Sequence, residues 1–210
     1  MITFKQFITE QEIKDLAELI KRDCKPFLEK SRHRGLLFRG VRNIGPGNET
    51  GKVSDPINEG KEILYWRKAV RTDRRPKDTN RDAHKIIDDW FEKEFGIRAR
   101  SQALFVFGQG IRKHYLNQYG DPCVVFPIGD FKYVWSARVR DLYNLMDDEA
   151  DMDDLDAVHT LQYKLETSAY TDSQLDAAIK DEKEIMIACE AYYAFPISAE
   201  ESIRVALDIY

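Results

Sequence analysis

A pair of glutamates two positions apart is the feature of this sequence best suited to chemistry. Glu182 and Glu184 stand directly before a short apolar run, residues 185–188, that has the composition of a strand. Neighbours two apart on a strand share a face, so both carboxylates could reach one ligand. One carboxylate could stabilise positive charge developing on a substrate while the other orients or deprotonates an attacking group. A solvated turn is the alternative interpretation, because exposed acids are common.

A second chemical candidate lies nearer the start of the chain, where the apolar residues 36–38 are followed by Arg39 and Gly40. The apolar run predicts a short strand that ends in a cleft. A guanidinium at that position suits a phosphate, which it can bind with two parallel hydrogen bonds. The alternative is a surface arginine that caps the strand. Residues 41–60 are rich in glycine, lack periodicity and predict a long loop.

Basic residues cluster in residues 67–81, where they are Arg67, Lys68, Arg71, Arg74, Arg75, Lys77 and Arg81. Such a patch could attract an anionic ligand or a nucleic acid locally, whereas a solvated turn around Pro76 is the alternative interpretation. The chain as a whole has no such field, because 32 Lys and Arg residues stand against 37 Asp and Glu residues and the formal charge is −5.

The helices and strands that we predict around these residues do not alternate regularly along the chain. Helical periodicity predicts helices at residues 10–29 and 80–95, and capping patterns at Thr171 and Ser198 predict two more. Apolar runs bounded by Gly and Pro predict strands at residues 103–107, 123–128 and 133–136. This arrangement favours the α+β class over regular βαβ repeats. We expect an N-terminal helical segment, residues 1–30, and one compact unit, residues 31–210.

Composition narrows the class of protein. With 210 residues, 43% of them hydrophobic, the chain is long enough to bury a sizeable core. Cys24, Cys123 and Cys189 lack the spacing of a zinc site or a disulfide framework, which predicts a reducing compartment and no metal. No apolar run is long enough to span a bilayer, so we expect a soluble, cytoplasmic protein with no membrane contact.

Three of these segments, in chain order, resemble the Arg, Ser and Glu motifs of the arginine-specific, toxin-like ADP-ribosyltransferases. They are Arg39 with Gly40, the strand entered through Ser101, and Glu182-x-Glu184. The resemblance implies an α+β domain with a split, two-sheet β core that clasps NAD, which is a substrate. It implies that Arg39 and Gly40 bind the dinucleotide and that Ser101 supports the nicotinamide ribose. It further implies that Glu184 assists cleavage of the glycosidic bond and that Glu182 prepares the acceptor.

The function so implied is mono-ADP-ribosylation of a macromolecule. A protein arginine, in particular one on a host protein, is the favoured acceptor, and a nucleic acid bound through the basic residues 67–75 is another. Ile8-Thr9-Glu10 resembles the sites cut by prohead proteases of large tailed phages, which would place the protein in the host cytoplasm or in the virion.

Two alternatives stay open at the level of sequence. One is a non-catalytic phage structural or head-packaged protein of the same fold. It is favoured by the middle motif, where Ser101-Gln102-Ala103 replaces the family's usual Ser-Thr/Ser-Ser. The other is an anionic-ligand-binding module that uses the basic residues 67–81.

Overall fold

The structure, a computed structural model, has a mixed α+β fold with one large antiparallel sheet and flanking helices. It describes residues 15–32, 34–42, 49–75, 80–145 and 154–209. The strands are β1 Leu37–Val41, β2 Glu49–Ser54, β3 Glu62–Ala69, β4 Leu104–Phe107, β5 Asp121–Ile128, β6 Lys132–Ser136, β7 Tyr170–Thr171, β8 Glu184–Ala188 and β9 Ala191–Pro196. The helices are α1 Leu16–Asp23, α2 Lys25–Ser31, α3 Arg81–Phe95, α4 Ala99–Gln102, α5 Leu155–Thr167, α6 Leu175–Lys180 and α7 Glu200–Leu207, with 3-10 segments at Lys113–Tyr119, Leu142–Leu145 and Ile197–Ala199.

The sheet is continuous but has one weak junction. Among the described residues its nine strands follow the order β2-β3-β9-β5-β1-β4-β8-β6-β7. Between β1 and β4 the register contains a single pair, Phe38 with Phe107, whereas β1 and β5 share five pairs. We expected two sheets, and the structure instead has one hydrogen-bonded sheet whose two parts are joined by that single pair. Beyond that pair, the described residues of β1 and β4 are not paired with each other.

The sheet is buried on both faces around β8. Ile185 and Ile187 belong to the larger apolar cluster, which also contains buried side chains of α1, α2, α6 and α7. Met186 points to the opposite face and joins a second cluster, to which α3 and α5 contribute. The part of the predicted N-terminal helical segment that the structure describes, residues 15–30, therefore packs into the same core as the strands.

Several predicted elements are confirmed. Strands β4, β5 and β6 lie where the apolar runs predict them, and α3 begins and ends where its sequence signals do. The side chain of Asn80 accepts a hydrogen bond from the N–H of Asp82 at 2.7 Å, and Gly96 ends the helix with a φ of +66°.

Two predictions about the N-terminal half are wrong in their detail. The helix predicted at residues 10–29 is divided at Cys24, because Pro26 lies in the first turn of α2 and cannot donate a hydrogen bond to a preceding turn. Residues 10–14 lie outside the described ranges. The long loop predicted at residues 41–60 contains β2, which pairs with β3. Arg67 and Lys68 accordingly lie on a strand and not in a turn.

Three features expected from composition can be examined in the described part of the chain. No helix there is long and apolar enough to cross a bilayer. In the same ranges, no group of three or more His, Cys, Asp and Glu side chains is arranged to hold a metal ion. The three cysteines, Cys24, Cys123 and Cys189, are free thiols.

Candidate active site

A cleft of about 1120 Å³ lies beside the junction of β1 and β4. Its walls come from β1, β3, β4, β8 and β9, with contributions from α3 and α4. The volume is slightly above the range of about 300–1,000 Å³ that is typical of small-molecule sites, so the cleft is large enough for a dinucleotide. Arg39, Gly40 and Glu184, three of the five residues singled out in the sequence, line this cleft.

Arg39 bridges the gap between β1 and β4. Its Nη1 donates a hydrogen bond of 2.5 Å to the backbone carbonyl of Phe105 on β4. Its Nε is buried and has no hydrogen-bond partner among the described residues, which is costly for a charged donor. Burial lowers the pKa of Arg39, and the phenol of Tyr192 and the carboxylate of Glu184 oppose that shift. The guanidinium is thus fixed in place with part of its hydrogen-bonding capacity unused.

Glu184 is the first residue of β8 and is held on both its backbone and its side chain. It stands opposite Phe107 in the sheet, and its N–H donates to the carbonyl of Arg140 at 2.9 Å. The backbone N–H of Leu142 donates to Glu184 Oε2 at 3.1 Å. These contacts fix the carboxylate at the cleft wall, where part of its surface stays accessible.

The carboxyl group of Glu184 titrates far from its ordinary range. Burial raises its pKa to about 8, and the negative charge of Asp141 acts in the same direction. The hydrogen bond from Leu142 and the charges of Arg100 and Arg39 oppose the shift. A carboxyl group with a strongly raised pKa in a cleft is a frequent property of catalytic acids and bases.

Asp141 is the second carboxylate near Glu184, and the sequence analysis missed it. It lies between β6 and the 3-10 segment Leu142–Leu145, and its Oδ1 accepts a hydrogen bond of 2.8 Å from the N–H of Tyr143. It lines the cleft and also a smaller adjoining cavity of about 200 Å³. No periodicity or motif marks this position, so no sequence signal could have identified it.

Glu182 lies away from the cleft. It is exposed, it stands in the turn before β8, and its N–H donates to Asp181 Oδ1 at 2.7 Å. The sequence argument required both glutamates to lie on one strand, but β8 begins only at Glu184. Its catalytic role stays a prediction that the geometry of the cleft does not support.

Ser101 lies on the short helix α4 and not on the strand that follows it. The N–H groups of Arg100 and Ser101 both donate to Oδ1 of Asp88, at 2.7 and 3.2 Å. Asp88 is buried on α3, so this contact fixes α4 against that helix. The residue of this segment that lines the cleft is Arg100, whereas Ser101 does not. The role predicted for Ser101 in binding the nicotinamide ribose stays a prediction.

Gly40 is explained by close packing on β1. A Cβ atom at this position would lie 2.3 Å from the carbonyl oxygen of Leu116 and 2.7 Å from Cβ of Tyr119. The glycine thus allows the 3-10 segment Lys113–Tyr119 to contact the strand directly. This contact brings Tyr119 to the cleft wall, beside Gly40 itself.

Arg39, Arg74 and Arg100 form a group that we call the inner arginines. The guanidinium of Arg74 stacks over the ring of Phe105, with 4.9 Å between its Cζ and the ring centroid. The pKa of Arg74 is lowered to about 10, mainly by burial and in addition by the charges of Arg39, Arg100 and Arg71, while Glu184 opposes the shift. The charges of Arg39 and Arg100 therefore disfavour the charged form of Arg74, a cost that a bound anion would reduce.

A second group of basic residues lines the same cleft, and we call it the rim cations. Its members line the cleft and are exposed or half-buried: Arg42, Arg67, Lys68, Arg71 and Arg75. The basic patch predicted from the sequence has five members up to position 75, and all five line the cleft: Arg67, Lys68, Arg71, Arg74 and Arg75. Lys77 lies outside the described ranges, and Arg81 opens α3 without lining the cleft.

Comparison with protein-family models, with curated proteins and with solved structures finds no match to this chain. The inner arginines offer several donors to phosphate oxygens, as a diphosphate requires. Glu184 offers a buried carboxylate that could stabilise positive charge, with a second carboxylate, Asp141, nearby.

Proposed function

We propose that this protein is an NAD-dependent mono-ADP-ribosyltransferase. The observation that carries the proposal is that Arg39 and Glu184, which come from motifs near opposite ends of the chain, line one cleft. They also affect each other's charge, because Arg39 lowers the pKa of Glu184 and Glu184 raises that of Arg39. Two short motifs that meet at one site are much more specific than either motif alone.

The inner arginines suit the diphosphate of NAD. Arg74, whose charged form is disfavoured by the charges of Arg39 and Arg100, gains when phosphate charges are placed beside it. Arg39 is already fixed by its bond to Phe105, so little side-chain freedom remains to be lost when the ligand binds. Arg100, held by the contact of its backbone with Asp88, takes the place on this wall that the sequence analysis gave to Ser101.

Glu184 would act on the nicotinamide ribose. When the bond between ribose C1′ and the nicotinamide nitrogen breaks, its electron pair leaves with neutral nicotinamide and the ribose becomes oxocarbenium-like. A fixed carboxylate stabilises that charge more than it stabilises the neutral sugar, so it lowers the barrier. Only the ionised form can do this, and a pKa of about 8 means that the ionised fraction grows through the alkaline side of neutrality.

Asp141 would act on the acceptor. It is the other carboxylate near Glu184 in the cleft wall, and an acceptor that attacks C1′ must lose a proton. This assignment gives Asp141 the role that the resemblance to the family implies for Glu182, which is exposed and lies outside the cleft.

The shape of the sheet also supports the proposal. A split β core was expected to clasp the dinucleotide, and the nine-stranded sheet is weakest between β1 and β4, where a single pair joins them. The cleft walls include residues of both strands beside that junction. The substrate would therefore lie where the two parts of the sheet separate.

A non-catalytic anionic-ligand module is the second candidate. The observation in its favour is the charge of the cleft, which is lined by seven arginines and one lysine but by three carboxylates. The alternative of a phage structural protein was based on Ile8-Thr9-Glu10, which lies outside the described residues, and on the departure of Ser101-Gln102-Ala103 from the family's motif.

Incubation with NAD tests the proposal. We expect the purified protein to release nicotinamide, detected by chromatography, and to transfer label from radioactive NAD to a macromolecule in a host lysate. Tight NAD binding without nicotinamide release would favour the anionic-ligand module instead.

A further inference from the structure

The cleft carries more positive charge than NAD needs. Its lining holds eight basic side chains against the carboxylates of Glu49, Asp141 and Glu184, although the chain as a whole has a formal charge of −5. The diphosphate of NAD brings only two negative charges, and the inner arginines already exceed that number. The rim cations are left for a different anionic partner.

The rim cations are accessible to such a partner. Arg67 pairs with Glu49 at 3.2 Å and Arg71 pairs with Asp73 at 3.3 Å. Both pairs are exposed, and exposed ion pairs contribute only about 0–1 kcal/mol, so a phosphate can replace the carboxylate at little cost. Arg42 donates to the backbone carbonyls of Gln118 and Tyr119, which hold its side chain without neutralising it.

This charge disfavours an arginine as the acceptor. An acceptor guanidinium would have to approach Glu184 through a cleft in which cations outnumber carboxylates, and like charges oppose that approach. A phosphodiester chain experiences the opposite force. The same field that holds NAD would draw a nucleic acid toward the reacting ribose.

Exposed tyrosines in the cleft lining favour a single strand over a duplex. Tyr119 is 43% exposed and Tyr143 is 44% exposed, and both line the cleft. Tyr119 and Asp141 also line the smaller adjoining cavity together, so this ring lies near that carboxylate. Unpaired bases stack on such rings, and a basic groove with exposed aromatic residues is typical of single-stranded nucleic acid binding.

We infer that the acceptor is a single-stranded nucleic acid that lies along the rim cations with a base against Tyr119 or Tyr143. This inference rests on the proposed transferase function and specifies its substrate class. In the transfer, a nitrogen or oxygen of the nucleic acid forms the new bond to ribose C1′ and gives up its proton to the carboxylate of Asp141. The bond from C1′ to the nicotinamide nitrogen breaks, and nicotinamide leaves with that electron pair.

Binding can be tested without NAD. The probe is a fluorescein-labelled, single-stranded oligonucleotide of mixed sequence, made as DNA and as RNA, titrated at several salt concentrations. We expect affinity to fall steeply with salt, and the triple variant Arg67→Ala, Arg71→Ala, Arg75→Ala to bind more weakly. Each lost phosphate contact should reduce the slope of log K against log salt by about 0.7.

A matched control removes the same charge elsewhere. Lys25, Lys85 and Lys93 are at least 71% exposed on helices and do not line the cleft. Their triple alanine variant should bind the oligonucleotide with nearly the parent's salt slope. This control variant should also release nicotinamide from NAD at the parent's rate when no acceptor is present, because none of its three lysines lines the cleft.

The transfer itself decides between acceptor classes. Radiolabelled NAD is offered with the oligonucleotide and, separately, with an arginine-rich peptide. We expect label on the oligonucleotide, and less of it with the rim triple variant. Nicotinamide release with label only on the peptide would overturn the inference and leave the proposed function intact. Oligonucleotide binding without any nicotinamide release would overturn both and leave an anionic-ligand module.

Discussion

Arg39 on β1 donates a hydrogen bond of 2.5 Å to the carbonyl of Phe105 on β4, next to the single pair that joins these strands. Where the strands separate, backbone groups lose their ladder partners, and a buried carbonyl needs a donor from elsewhere. Arg39 supplies that donor and also lines the cleft. One side chain therefore holds the junction and, in our proposal, contacts the substrate.

Arg39→Lys separates these two roles. An ammonium can still donate to the Phe105 carbonyl, but it cannot reproduce the planar fork that grips a phosphate. We expect NAD to bind at least about tenfold more weakly by calorimetry, as loss of a charge-assisted hydrogen bond implies. Arg138→Lys is the control, since Arg138 donates to the carbonyl of Thr167 and does not line the cleft. Unchanged NAD affinity would leave Arg39 as a structural bridge only.

The pH profile of NAD hydrolysis should report Glu184. Because burial raises its pKa to about 8, the carboxylate forms as pH rises through that value, and hydrolysis should rise with it and then level off. Asp141→Asn removes a negative charge that raises this pKa, so the midpoint should move to lower pH. Glu182→Gln should leave the midpoint in place. A midpoint that does not move in Asp141→Asn would show that the two acids are not coupled.

Glu184 should also affect stability in a way that needs no activity assay. Its pKa is raised from 4.5 to about 8 on folding, so the folded protein binds this proton more tightly than the unfolded chain does. The resulting stabilisation is fully present below the unfolded pKa and is lost as pH rises through the folded one. Glu184→Gln has no carboxyl group at this position, so its stability does not fall in this way as pH rises. Urea unfolding at about pH 5 and about pH 9 should show the variant gaining stability relative to the parent at the higher pH.

Gly40→Ala tests the contact between β1 and the 3-10 segment Lys113–Tyr119. The added methyl would lie 2.3 Å from the backbone oxygen of Leu116, so the segment must move. Overpacking of this kind costs about 1–3 kcal/mol in the free energy of unfolding. The displaced Tyr119 should also weaken oligonucleotide binding. A variant as stable as the parent would mean that the segment does not pack as closely as described.

The sequence predicts those parts of the site that depend on residues adjacent in the chain, and it does not predict the parts that depend on distant residues. Arg39 and Glu184 stand next to apolar runs that become strands β1 and β8, so their placement on strands could be predicted from neighbouring residues. Arg39 is the middle residue of β1, which continues to Val41, whereas Glu184 begins β8 as predicted. Glu182 is only two residues away, but the start of β8 is set by pairing with β4, which sequence spacing does not reveal. Strand boundaries depend on such non-local partners.

The parts of the cleft that the sequence does not predict are formed by contacts between residues far apart in the chain. β2 contains Thr50, Gly51 and Lys52, a composition typical of a loop, and it is a strand because β3 pairs with it. Asp141 lies near Glu184 because both of its chain neighbours hydrogen-bond to Glu184. The carbonyl of Arg140 accepts from the N–H of Glu184, and the N–H of Leu142 donates to the Glu184 side chain. Neither the pairing of β2 with β3 nor these contacts with Glu184 produces a periodic pattern in the sequence.

Nicotinamide release from NAD, compared between the parent and Glu184→Gln, tests the central claim most directly. The substitution keeps the shape of the side chain and removes its charge, so turnover should fall about 10²–10³-fold while NAD still binds. Glu182→Gln, an identical change two residues away and outside the cleft, should hydrolyse NAD at the parent's rate. If the parent binds NAD but releases nicotinamide no faster than Glu184→Gln does, the protein is not an ADP-ribosyltransferase that uses Glu184.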